Sequence, residues 1–290
     1  MDWEILRWVV NVIGSHRVTA NVSKAFLLGL VLFFVIYCLE RYYGAPTRQY
    51  RSRQFFHDAL YWLWTGGGLN RLVLTSVILS FMSDKLSVLK MDPLHGLPTV
   101  PRYIVYWIVV DLLAYSIHRW RHASRFMWAF HTTHHAQEKL SFATVLRIHP
   151  VEFAITDLVM FVPLLVLGAP PQSWLSIYYL RVFMEAIQHS HLPWRFGPLY
   201  YVFVSPMFHS CHHSVSPEHH DRNFGVTLSV WDFLFGTAVT AEQRPARYGL
   251  EALTMPTLAS SLIAPFHVLR QTYWSGTDRR TAEARKVPAS

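Results

Sequence analysis

The chain has 290 residues, 52% hydrophobic, 15% aromatic and only 15% charged, with a formal net charge of +8. That is too apolar for an ordinary soluble domain, and a basic surplus in a membrane protein usually sits in cytoplasmic loops, so nucleic acid is the weaker partner. With two cysteines, Cys38 and Cys211, there is no disulfide framework and no cysteine-based zinc or iron–sulfur motif.

The opening stretch MDWEILRWVVNVIGSHR lacks the basic start and small-residue cleavage site of a signal peptide, and reads as an interfacial amphipathic helix. Apolar runs follow at Ala25–Leu39, Leu69–Met82, Tyr103–Ile117, Phe153–Leu167 and Trp174–Ile187. Each falls short of the roughly 20 residues that a full span requires, so each must recruit flanking aromatics or be re-entrant. GAPPQS, Gly168–Ser173, is a turn that folds the last two runs into a hairpin. The expected fold is all-α: a multi-span membrane helical bundle of about four to five apolar segments carrying a histidine-rich helical cap. Three regions follow: 1–100 with the interfacial helix and first segments, 101–240 with the histidines, and 241–290 ending in a disordered tail.

Thirteen of the seventeen histidines fall between His118 and His220. Span parity puts all of them on one membrane face. The loops on that face carry Arg41, Arg48, Arg51, Arg53, Arg119, Arg121, Arg125, Lys139 and Arg147, whereas the hairpin tip carries no charge, so the face is expected to be cytoplasmic.

Spacing says more than number. His118 and His122 stand at i, i+4; His131, His134 and His135 at i, i+3, i+4; His209, His212 and His213 repeat the second pattern. On a helix each set projects from one side, so its nitrogens can converge on a metal ion. Eight imidazoles exceed what one metal takes, which predicts two, and His189 at the end of the returning run is the best ninth ligand. Glu185, one turn earlier, reads as a ligand, an acceptor behind a ligand or a structural carboxylate. Asp111 shares a stripe with Tyr115, His118 and His122, where it either bonds a neighbouring helix or orients a ligand's second ring nitrogen. His149 and His191 are candidate ligands against structural alternatives, and His219, His220, Asp221 and Asn223 are candidates to ligate or to brace a ligand. His16, His57, His95 and His267 stand alone and read as ordinary side chains.

HRWRH, HTTHH, RIHPVE, QHSH, HSCHH, HDRNFG and WDFLFGT, in that order over about residues 100–238, resemble the sterol desaturase and fatty acid hydroxylase superfamily of integral-membrane di-iron enzymes. The departures lie at His191, where the family often has asparagine, and at Ser210 and Cys211, where it often has a second histidine or an aromatic residue. By this resemblance the eight clustered histidines match the family's metal ligands and His189 a further one. It implies two iron ions, with zinc as an alternative occupant, O2 as co-substrate, and hydroxylation or desaturation of a lipid C–H bond. Imidazole nitrogens suit iron, and two irons can share the electrons that O2 needs.

Two rivals use the same residues. A membrane zinc hydrolase fits less well because the chain has no HExxH and more imidazoles than one catalytic zinc uses; a metal-handling membrane protein would spread its histidines along the spans. The chain shows no CxxCH haem motif, too few cysteines for an iron–sulfur cluster and no GxGxxG phosphate loop, so electrons are expected from a separate cytochrome b5-like or ferredoxin carrier with its reductase. Arg119, Arg121, Arg125, Arg195 and Arg222 could steer such an acidic partner, while the lipid substrate enters from the bilayer.

Overall fold

A computed structural model describes residues 16–62, 87–250 and 253–274. The run Leu69–Met82, the first fifteen residues and the tail from Gly276 lie outside them. Among the described residues the chain is helical, with isolated β-bridges and no strand. Its helices are α1 His16–Tyr42, α2 Arg53–Tyr61, α3 Thr99–Ala123, α4 Arg125–His135, α5 Pro150–Val166, α6 Pro171–His189, α7 Pro206–His212, α8 Val230–Leu234 and α9 Leu258–Trp274.

Among the described residues α3 is the one helix long and apolar enough to cross a membrane, so the other expected spans do not meet that measure within the described residues, and the run Leu69–Met82 lies outside them. The physical reasons are visible in the hairpin. At about 1.5 Å per residue, α5 with 17 residues reaches about 26 Å, and α6 is interrupted by Arg181, Glu185 and Gln188. Even so, Leu27, Val31 and Phe34 on α1 and Val100, Ile104 and Ile108 on α3 stand exposed at helical spacing, forming apolar stripes that water solvates poorly.

The hairpin turn forms as its sequence predicts. Gly168 ends α5 at φ +66°, a conformation that a side chain disfavours, and a Cβ there would approach Asp92 to 2.7 Å. Pro150 and Pro171 each open a helix, where the missing N–H is no loss. Between α3 and α4 the chain turns on Ser124 alone, which ends the first helix in extended conformation and accepts a bond from Met127 N at 3.3 Å. This tight corner swings the end of α3 against α4.

Two buried polar knots hold the site end together. Arg147, only 1% exposed, bonds Thr133 O at 2.8 Å and approaches Asp58 at 3.3 Å, and Asp58 also accepts from Gln137 and Thr144. The second knot explains WDFLFGT. Asp111 accepts from the backbone of Thr227 and Leu228 and from Trp231 Nε1, and Asp232 accepts from Phe224 N, Gly225 N and Thr237. Gly225 has no room for a side chain: a Cβ would meet Asp232, Leu228 O and Val204 at 2.8 Å. Paired buried groups of this kind are expensive to break singly, because the survivor stays desolvated.

Candidate metal centre

Nine histidines converge where the ends of α3 and α6 meet α4 and α7, and they divide into two groups. His118, His122, His131, His135 and His212 form the first; His134, His189, His209 and His213 form the second, with the candidate ligand atoms of each group within 4.8 Å of one another. All nine are buried. The i, i+3, i+4 clusters are therefore split. On α4 the i, i+4 pair His131 and His135 serves the first group and His134 the second, while at α7 the pair His209 and His213 serves the second and His212 the first. The groups adjoin, with the His135 and His213 rings stacked at 4.6 Å.

Ring orientation is fixed from behind. In the first group His118 Nδ1 lies 2.9 Å from Phe224 O, His131 Nδ1 2.9 Å from Glu152 Oε1, and His212 Nδ1 2.7 Å from Arg222 O. His122 Nδ1 lies 3.4 Å from Asp221 Oδ1. A carbonyl can only accept, so Nδ1 of His118 and His212 carries the proton and Nε2 presents its lone pair. Nε2 of His118, His131, His135 and His212 is buried without a hydrogen-bond partner. Converging, unsatisfied lone pairs are costly unless a cation takes them.

The second group gives the same answer by distance. His189 Nδ1 donates to Glu185 O at 2.7 Å, so its Nε2 is an acceptor, yet Nε2 of His134, His209 and His213 stand 3.2, 3.1 and 3.2 Å from it. One lone pair cannot satisfy three donors. A metal ~2.0–2.2 Å from each nitrogen would set neighbouring ligands about 3.0–3.4 Å apart, and these contacts fit that spacing. Burial, followed by the charge of neighbouring rings, pushes His134, His135, His209 and His213 well below the ordinary imidazole range, and burial takes His212 down to about 3. The rings are thus neutral, the form that binds metals.

A cavity opens beside the rings, with His118, His131, His134, His189 and His209 in its wall and Arg121, Glu152, Arg181 and Glu185 around them.

The remaining sequence candidates fall outside both groups, for reasons that can be named. Asp111 does not orient a histidine; its oxygens accept from Thr227, Leu228 and Trp231. His149 caps α5, accepting from Val151 N at 3.2 Å, with Nε2 at Leu262 O. His191 bonds Leu140 O at 3.0 Å, and its backbone N bonds Glu40. Glu185 points its carboxylate toward Arg181, and only its backbone oxygen supports His189. His220 bonds Val215 O, and His219 lies in the adjoining turn. Asp221 stands behind His122, whereas Asn223 latches Phe208 O and Val239 O; both sit at φ near +55°, which Asp and Asn tolerate better than most residues.

Sequence reasoning missed Glu152, which accepts from His131 and lies 3.1 Å from Arg121 Nε. RIHPVE held the signal: a carboxylate within a helix's first turn beside a histidine cluster. The two carbonyl acceptors, Phe224 O and Arg222 O, carry no side-chain signature at all.

Fold and site together define a helical protein with two adjoining, all-histidine groups that could each hold a metal ion, facing a cavity. Residues 103–237, a little under half of the chain, match the model of the fatty acid hydroxylase family. The chain is similar to alkylglycerol monooxygenase of Caenorhabditis elegans, 33% identical over 164 residues, covering 55% of this chain and 31% of that protein. Ornithine lipid hydroxylase OlsE of Rhizobium tropici is 26% identical over 205 residues, 66% of this chain and 59% of that protein, and methylsterol monooxygenase 1-3 of Arabidopsis thaliana is 29% identical over 142 residues, 48% of each. The chain thus spans between about a third and three fifths of the length of these relatives. No solved structure matches it.

Proposed function

We propose that this protein is an integral-membrane, two-iron oxygenase that hydroxylates or desaturates a lipid C–H bond. The observation that carries the reading is the division of nine buried histidines into two adjoining groups that share one cavity. Relatives named as monooxygenases or hydroxylases of alkylglycerols, ornithine lipids and methylsterols supply the substrate class. The first group holds one iron and the second group the other. Irons bound there supply O2 activation: R–H + O2 + 2 e− + 2 H+ gives R–OH + H2O, or the same reductant with loss of two hydrogens gives an alkene and two waters.

The chain's own residues do the rest. Glu152, Asp221 and the carbonyls of Phe224 and Arg222 hold the first group's rings in register, so that O2 and substrate meet a fixed geometry. The cavity beside both groups is where the attacked carbon would be presented. Burial of the rings keeps bulk water from the oxidising centre.

The histidine face is cytoplasmic in this reading, and the two electrons come from an acidic carrier of the cytochrome b5 or ferredoxin type with its reductase. Arg119, Arg125 and Arg195 are exposed on the chain and offer it a basic surface. Purified protein, supplied with a lipid extract, ¹⁸O2, carrier and reductase, should give a product 18 daltons heavier by hydroxylation. A chain that holds zinc alone and turns over no lipid would refute the assignment.

A further inference from the structure

Arg181 and Glu185 lie in the second half of the hairpin helix α6 and line the cavity, where an ionisable side chain taken from water is costly without a partner. They are not well satisfied by each other. Arg181 Nε and Glu185 Oε2 stand 3.9 Å apart, beyond hydrogen-bond reach. The other ion pair in the same cavity is tighter: Arg121 Nε lies 3.1 Å from Glu152, Arg121 Nη2 donates to Thr156 at 2.7 Å, and Glu152 accepts from His131. One pair is built into the metal centre. The second is held open, and both its members line the cavity.

Position gives that opening a purpose. Arg181, Glu185 and His189 follow one another at i, i+4, i+8 on one face of α6, so Glu185 lies ~6 Å and Arg181 ~12 Å along the axis from a ligand of the second group. A guanidinium donates and a carboxylate accepts. A hydroxyl does both, and its oxygen fits between two atoms 3.9 Å apart at hydrogen-bond distance from each. A carboxylate or phosphate would meet Arg181 favourably and Glu185 unfavourably, and an alkane would leave both desolvated and unsatisfied.

We propose that Arg181 and Glu185 form the polar subsite that takes an uncharged, hydroxyl-bearing lipid head group and thereby fixes which carbon faces the metals. The inference rests on the lipid-oxygenase reading above and deepens it. The oxidised carbon lies close to the head group, within the ~6–12 Å that separates this subsite from the metal end of α6, and not at the far tail.

The test is equilibrium binding to purified, metal-loaded protein in neutral nanodiscs, using 1-O-hexadecylglycerol, palmitate and hexadecane as probes. Wild type should prefer hexadecylglycerol to the other two by about 10-fold or more, the scale of a hydrogen bond to a charged group. Arg181→Met and the near-isosteric Glu185→Gln should each erase most of that preference at unchanged metal content, and Arg181→Lys should keep part of it. If Arg181→Met proves unable to hold metal, Glu185→Gln decides alone. Equal binding of the three probes by wild type, or full preference retained in Glu185→Gln, overturns the proposal. Binding is read without turnover, so an intact preference in a protein that oxidises no lipid would count against the oxygenase reading and leave the subsite standing.

Discussion

Glu152→Gln isolates the least expected part of the centre. The carboxylate lies 2.9 Å from His131 Nδ1 and 3.1 Å from Arg121 Nε, and is fully buried. Glutamine keeps the shape and one acceptor oxygen but removes the negative charge, so His131 Nδ1–H is held less strongly and its Nε2 becomes a weaker donor to metal. Loss of such a carboxylate behind a ligating histidine lowers metal affinity roughly 10–100-fold, or about 1.4–2.8 kcal/mol. The same change at Asp221 should do less, because its contact to His122 is 3.4 Å long and its side chain is 38% exposed. Chelator competition on purified protein, followed by elemental analysis, measures both. Glu152→Gln should surrender one metal per chain at about a tenth or less of the chelator concentration that wild type requires, with Asp221→Asn within about threefold of wild type. Equal retention in Glu152→Gln and wild type would refute the account of ring orientation.

Other outcomes follow from single contacts. Gly225→Ala forces a Cβ to within 2.8 Å of Asp232 and two further groups, and should abolish folded, metal-containing protein, read by size-exclusion profile and metal content. Burial raises the Cys211 thiol to about 11, so it stays protonated and should resist maleimide at pH 7.5 until the protein is denatured; rapid native labelling would contradict its placement. Burial also raises Asp58 to about 6 against an ordinary value of 3.8. A carboxyl that binds its proton more tightly folded than unfolded loses stability as pH rises between those two values. Between pH 4 and 6 the thermal midpoint of wild type should therefore fall relative to Asp58→Asn, and parallel curves would contradict the shift.

The histidines were legible because imidazoles at helical spacing declare both a face and a ligand chemistry. All nine expected ligands are brought together, but the sharing within HTTHH and HSCHH, where one histidine of each cluster crosses to the other group, depends on how α4 and α7 face one another and leaves no mark in spacing alone. Asp111 shows the opposite limit. It lies on the stripe of His118 as its position requires, yet the segment 227–231 reaches it first with two backbone N–H groups and an indole. His149 and His191 resemble ligands in composition and serve as a helix cap and a loop tie, roles set by carbonyls that no side-chain pattern records. The hairpin was readable in GAPPQS because proline and glycine act locally, whereas apolar run length alone does not fix the number of spans, since α6 carries Arg181, Glu185 and Gln188 within its run.

The central claim is that two irons sit in two separate histidine groups. Elemental analysis of purified wild type beside His118→Ala and His134→Ala, one ligand from each group, tests it most directly. The account expects two irons per chain in wild type, loss of iron from each variant at its own site while the other group's iron is retained at least in part, and an intact membrane-inserted protein throughout. One metal per chain in wild type, or full iron content in both variants, would contradict it.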